Sequence, residues 1–233
     1  SNKDYFLSAV ANGFTYIPLT KSWPADLETP LSTWLKIGNK NQQGVLLESV
    51  DGGETLGRWS LVASNPLWTA VAKGNQVKRT WRDGTSDVYI GNPFDAIRDF
   101  LKPYKSELLQ TLPPLGQLFG MWGYELINSI ESSVPITPSN KKLVIPDGQW
   151  MFMDSLLIFD QVKRVITAVA YADLSKNESP TTAYKKALND IDSLEKSMKD
   201  PLPAVKQLKW ESKEYTSNSI TSNWSQSDFE KAV

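Results

Sequence analysis

Chemistry in this sequence could sit in four places. The first is Asp51-Gly52-Gly53-Glu54-Thr55-Leu56-Gly57, whose glycines could turn backbone N–H groups toward an anion. It matches neither G-x-G-x-x-G nor a P-loop, so an ordinary loop between strands explains it more simply. The second is Glu48-Ser49, followed after that loop by Arg58 and Ser60. If the flanking strands pair, a carboxylate, a hydroxyl and a guanidinium converge at the loop mouth. Those groups suit an amino acid: Glu for the α-ammonium, Arg or backbone N–H for the α-carboxylate, Ser for either. A plain Glu48–Arg58 ion pair closing the loop fits the same residues. The third is Trp122-Gly123-Tyr124-Glu125, where aromatic faces meet an acid on a glycine-bearing strand; core packing is the preferred expectation. The fourth is the set Asp147, Asp154 and Asp160, each near an expected strand end. No two carboxylates have a spacing that defends catalysis, so turn and cap roles are expected.

Composition narrows the mechanisms further. The 233 residues contain no Cys and no His, which removes disulfides, thiolate nucleophiles, imidazole acid–base chemistry and Cys- or His-ligated metals. Any metal site would be an oxygen site of the magnesium type. With 25 basic and 26 acidic side chains the net charge is −1, so neither nucleic acid nor an anionic membrane surface is an expected partner. No run approaches the roughly 18 apolar residues of a membrane span, and Ser1-Asn2-Lys3-Asp4 does not open a signal peptide. A chain this long buries about 70% of its unfolded surface and needs no staple. Nine Trp, eight Tyr and eight Phe are available to anchor the core.

The elements that must position these residues follow from periodicity and punctuation. Asp4 to Asn12 reads as a short helix stopped by Gly13, and Phe14 to Leu19 as β-prone. Thr29-Pro30 caps a helix through Ile37. Gly44 to Ser49 is a short apolar run expected as a buried strand, and Arg58 to Ser64 as the next. Residues 67–73, 76–82 and 85–90, separated by Gly74-Asn75 and Asp83-Gly84, predict a three-stranded meander with tight two-residue turns. Asn92-Pro93 opens a helix with an apolar stripe of Phe94, Ile97 and Leu101. Leu115 to Tyr124 reads as a strand, followed by a short helix to Glu131. Trp150–Phe159 and Val162–Tyr171 predict long strands joined at Asp160-Gln161. Ser179-Pro180 starts a helix in which Tyr184, Ala187, Leu188, Ile191, Leu194 and Met198 follow the helical period. Residues 204–222 suit a linker or a segment lying on another domain, and Ser225 caps a final helix that stops after one or two turns. The fold class is α+β, with antiparallel or mixed β-sheets and flanking helices.

Several of these stretches together carry a family resemblance. The run from Leu46 to Ser60 (LLESVDGGETLGRWS) closely resembles the N-terminal region of anthranilate synthase component I. Ile17-Pro18-Leu19, Gly120-Met121-Trp122-Gly123-Tyr124-Glu125-Leu126, and Pro146-Asp147 leading to Phe159-Asp160 agree in order and spacing. The resemblance covers about residues 14 to 172, and Ser225 to Val233 resembles the first helix of the chorismate-binding domain. It implies the N-terminal part of the large-subunit β-sandwich. Residues 1–172 would be the regulatory domain, 173–222 a helix and linker, and 223–233 the start of a truncated catalytic domain.

For the whole enzyme the resemblance implies a cytoplasmic lyase of tryptophan biosynthesis. It would convert chorismate to anthranilate and pyruvate with Mg2+ and with ammonia from a glutamine amidotransferase subunit, component II. Chorismate and magnesium belong to the half this chain lacks, so no catalytic residue, metal or cofactor is expected here. The N-terminal half would contribute Leu47, Glu48, Ser49 and, as a further member, Arg58 to a feedback site for L-tryptophan. The aminodeoxychorismate synthase large subunit of folate synthesis shares the fold; the intact Leu-Leu-Glu-Ser and Gly-Gly-Glu favour anthranilate synthase. A non-catalytic aromatic-rich module binding carbohydrate would line up Trp on a solvent face. Trp59, Trp68, Trp122 and Trp150 instead lie in apolar runs, which favours burial.

Overall fold

The computed structural model describes residues 2–38, 43–48, 57–113, 116–131, 133–134, 145–204 and 221–233. They fall into two compact units, Ser1–Pro203 and Ala204–Val233. In the first, β1 (Tyr16–Pro24), β10 (Val165–Asp173), β9 (Ser155–Asp160), β3 (Trp59–Ser64) and β2 (Gly44–Leu47) form one five-stranded sheet in that order. The second sheet has the order β6 (Ser86–Ile90), β5 (Gln76–Trp81), β4 (Trp68–Lys73), β8 (Gly148–Phe152), β7 (Leu118–Trp122). Every pairing is antiparallel, which gives the expected α+β class.

Period-two alternation divides the first sheet between two cores. Ile166, Ala168, Ala170 and Ala172 of β10 share a cluster with Ile17, Leu19, Val62, Leu157 and Phe159. That cluster is closed by Phe6 of α1 (Asn2–Ala11), Ile37 of α2 (Pro30–Ile37) and Ala183, Ala187 and Ile191 of the long helix Pro180–Met198. The alternate residues Val169 and Tyr171 join Tyr16, Leu61 and Ile158 in a cluster with Trp68, Trp150 and Phe152 of the second sheet. Ile97 and Phe100 of α3 (Pro93–Leu101) complete it.

The helices begin where capping chemistry places them. Thr29 accepts from the Ser32 amide while the Ser32 hydroxyl accepts from the Thr29 amide, a reciprocal box ahead of Pro30. Asn92 caps α3 through the Phe94 amide, and Ser179 caps the helix Pro180–Met198, α4 here, through the Thr182 amide.

Four local expectations need correction. The apolar run 150–159 is two strands: β8 ends at Phe152, the chain changes sheets at Met153-Asp154, and β9 begins at Ser155. The Asp83-Gly84 turn has three residues rather than two. Trp81 N–H donates to the Thr85 carbonyl at 2.8 Å, Gly84 N–H donates to the Trp81 carbonyl at 2.9 Å, and Gly84 sits at φ 87°. The β9–β10 link spans 161–164, with Arg164 at φ 53° and Asp160 accepting from the Val162 and Lys163 amides. Finally, β2 is a partly exposed edge strand rather than a buried one.

In the second unit, α5 (Gln226–Ala232) starts at Ser225, whose side chain accepts from the Asp228 amide. The linker expectation for 204–222 falls largely on residues outside those described.

Candidate functional site

Pairing of β2 with β3 is the geometric condition the amino-acid reading needs, and it holds, with Leu47 opposite Leu61. The pairing ends there, so Glu48 follows the last residue of β2. Leu47 is 49% exposed and Glu48 is exposed. Ser49 and residues 51–56 of the glycine loop lie outside the described residues.

Arg58 is turned to the other neighbour of β3. Its Nε and Nη2 donate to Oδ1 and Oδ2 of Asp160 at 3.0 and 2.7 Å, a fork-on-fork ion pair. Its guanidinium also lies over the Trp59 ring at 4.5 Å. The Asp160 side chain is 7% exposed and that of Arg58 30%. The Arg58 hydrogen bonds hold the Asp160 carboxyl below its ordinary range against the opposing effect of burial, and the Lys163 and Val162 amides add to the lowering. Ser60 is buried, and its hydroxyl accepts from Gln161 Nε2 at 3.2 Å. Arg58 and Ser60 are therefore tied to the β9–β10 link. The Glu48–Arg58 pair expected as the simple alternative is replaced by Arg58–Asp160. A ligand beside Glu48 would reach Arg58 only by sharing it with Asp160.

Beside this ion pair lies a cleft of about 190 Å³, lined by Thr20, Ser22, Trp59, Asp160, Lys163 and Thr167. The Ser22 and Thr167 hydroxyls are 2.8 Å apart. Sequence reasoning did not single out this set. Its signal was present, because hydroxyl residues at 20, 22 and 167 interrupt apolar strands at period two. A second cavity, about 310 Å³, is lined by Pro18, Tyr104, Gln117, Leu156, Val169 and Tyr171. Gln117 Nε2 donates to the Tyr171 hydroxyl there at 2.5 Å.

Burial pushes Tyr104 up to about 12 and raises Tyr171, so both phenols stay protonated at neutral pH. Among the described residues no group of three or more acids could hold a metal ion, so no step through magnesium is derived from this chain.

The other acids have structural partners. Asp154 is gripped by Arg82 at 2.6 and 3.0 Å, and Asp147 takes Lys73 Nζ and the Gly74 amide at 2.9 and 2.6 Å. Of the tryptophans, Trp68 and Trp150 are buried as expected. Trp122 is not: it is 45% exposed, with one face stacked on Phe94 at 4.4 Å.

The fold and these spaces define a two-sheet α+β module with polar and apolar clefts and, among the described residues, no assembled catalytic group. Its relatives are specific. Over 190 residues the chain is 43% identical to anthranilate synthase component 1 of Synechocystis sp., covering 81% of this chain and 37% of that protein. The namesake from Pseudomonas aeruginosa is 28% identical over 235 aligned positions, covering 100% of this chain and 46% of the relative. The chain is thus a homologue of anthranilate synthase component 1, and it spans less than half the length of these curated relatives. A crystal structure of anthranilate synthase component I from Streptococcus pneumoniae TIGR4 matches with TM-score 0.45 and 23% identity, covering 74% of this chain and 36% of that one. No family model matches the chain.

Proposed function

We propose that this chain is the N-terminal, regulatory part of an anthranilate synthase component 1 and makes no catalytic contact itself. The whole polypeptide would form anthranilate and pyruvate from chorismate, using Mg2+ held outside this chain and ammonia delivered by component II in the cytoplasm. The observation that carries this reading is 43% identity to a component 1 of which the chain covers only 37%.

Within that frame Leu47, Glu48 and Ser49 form one wall of an L-tryptophan feedback site at the open end of β2, with Arg58 as a further member. Support comes from the β2–β3 pairing, whose last pair is Leu47 with Leu61 and which leaves the exposed Glu48 next in the chain at that end of β2. The ammonium of the amino acid would meet Glu48, while Arg58 stays pinned by Asp160 as a fixed positive charge behind Trp59. Tryptophan bound between this wall and the remaining polypeptide would shift the balance between active and inhibited arrangements.

Calorimetric titration of L-tryptophan, with L-phenylalanine as control, tests this on the full-length polypeptide and on residues 1–233. The full-length polypeptide should bind tryptophan specifically, and the shorter chain weakly or not at all because part of the pocket is missing. Absence of tryptophan binding to the full-length polypeptide would refute the feedback assignment.

A further inference from the structure

An Asn or Asp followed by Gly is where a backbone nitrogen can attack the preceding side chain, because glycine puts no Cβ in the way. The sequence has four such pairs: Asn12-Gly13, Asp51-Gly52, Asp83-Gly84 and Asp147-Gly148. Asp51-Gly52 lies outside the described residues. The other three sit in different settings.

Asp147 and Asp83 are held. The Asp147 carboxylate takes Lys73 Nζ and the Gly74 amide, and Gly148 is buried in β8, where a Cβ would lie 2.4 Å from the Trp150 ring. Asp83 Oδ1 accepts from the Thr85 hydroxyl and amide at 2.6 and 2.9 Å. Those bonds keep the Asp83 carboxyl below its ordinary range, in the ionised form that resists attack by a nucleophile. Asn12 is unlike both. Its side chain is neutral and exposed, and it has no hydrogen bond among the described residues. A Cβ on Gly13 would meet nothing within 4 Å. What restrains this pair is the turn that ends α1. Gly13, at φ 81°, donates its N–H to the Val10 carbonyl at 3.0 Å, and Phe14 N–H returns to the Ala9 carbonyl at 3.1 Å, a Schellman turn.

We propose that Asn12 is the site at which this chain deamidates, through a succinimide that forms when the turn at the end of α1 opens. Once the bond to Val10 is broken, hydroxide removes the Gly13 amide proton. The freed nitrogen bonds to the Asn12 side-chain carbonyl carbon. The bond from that carbon to the side-chain nitrogen breaks, and the nitrogen takes a proton from water and leaves as ammonia. Water then opens the ring at either carbonyl, which leaves an aspartyl or an isoaspartyl linkage at position 12. Nothing is oxidised or reduced, and water is the co-reactant. Either product puts a negative charge at the C-terminal end of α1, where the helix dipole opposes it. The isoaspartyl form also adds a carbon to the main chain within the turn. Both loosen the helix that brings Phe6 and Ala9 into the core of the first sheet.

Peptide mapping that separates asparaginyl, aspartyl and isoaspartyl forms tests this, on residues 1–233 kept in mildly alkaline buffer, folded and in urea. All three pairs should react in urea. Folding should slow Asn12 by about tenfold, through the closed turn, and slow the Asp83 and Asp147 pairs by at least about a hundredfold. In the folded chain Asn12 should therefore convert first, with the isoaspartyl form among its products. Three results would overturn the proposal. One is that folding silences Asn12 as fully as the two Asp-Gly pairs. Another is an equal rate at Asn12 in folded and urea-treated chain, which would mean that the turn gives no protection. The last is aspartyl product with no isoaspartyl form, the mark of direct hydrolysis without a ring. None of these readouts depends on tryptophan, so failure here leaves the feedback assignment untouched.

Discussion

Replacing Asp160 by Asn tests the ion pair that organises the candidate site. Asn keeps the shape and one acceptor, but removes the charge that faces the Arg58 guanidinium and receives the Val162 and Lys163 amides. Breaking a fully buried pair costs about 3–5 kcal/mol, and a hydrogen bond to a charged group contributes about 1.5–3 kcal/mol. With the Arg58 side chain 30% exposed and that of Asp160 7%, water recovers part of the loss, and we expect about 2 kcal/mol. In a chain of this size that lowers Tm by about 4–8 °C. The folded-state pKa of Asp160 is depressed, so its contribution is complete above the unfolded carboxyl value near 4 and fades as pH falls through the folded value. Urea or thermal melts of wild type and Asp160→Asn should therefore differ by a constant amount from pH 8 to pH 5 and converge below about pH 4. A difference under about 0.5 kcal/mol at pH 7, or one that persists unchanged into acid, would refute the structural role given to this pair.

Two further outcomes follow from the packing. A Cβ on Gly120 would lie 2.1 Å from the Gln149 carbonyl oxygen and 2.7 Å from the Trp150 Cα; backbone cannot step aside cheaply, so Gly120→Ala should cost about 1–3 kcal/mol in a urea melt. Tyr16 is fully buried, stacked on Tyr171 at 4.5 Å, and its hydroxyl has no hydrogen-bond partner among the described residues. Tyr16→Phe should thus be neutral or stabilising by up to about 1 kcal/mol, whereas Tyr171→Phe, which gives up the Gln117 bond, should destabilise by a similar amount.

The sequence made the local elements readable wherever punctuation was strong. Thr29-Pro30, Asn92-Pro93 and Ser179-Pro180 start helices where capping requires, and Gly74-Asn75 makes the two-residue link between β4 and β5. It was least readable where the chain changes sheets. The run 150–159 is apolar throughout, and periodicity does not distinguish one long strand from two that part company at Asp154. The physical clue is the buried carboxylate itself, which must be paired, and whose partner Arg82 is 72 residues away.

The same difficulty governs the site. Glu48, Ser60 and Arg58 could be brought together on paper because β2 and β3 are neighbours in sequence. Arg58 went to Asp160 because β3 has a second neighbour, β9, which local reasoning could not see. Trp122 looked like core because its run is apolar. Only sheet order reveals that it stands on an open edge.

The most direct test of the central claim is the inhibition of anthranilate formation from chorismate and ammonia by L-tryptophan in the full-length polypeptide, with wild type and Ser49→Phe each normalised to its own uninhibited turnover. The account predicts that wild type forms anthranilate and is inhibited by tryptophan but not by phenylalanine, and that Ser49→Phe loses most of that inhibition. A wild-type polypeptide that forms no anthranilate, or a Ser49→Phe variant as sensitive as wild type, would contradict it.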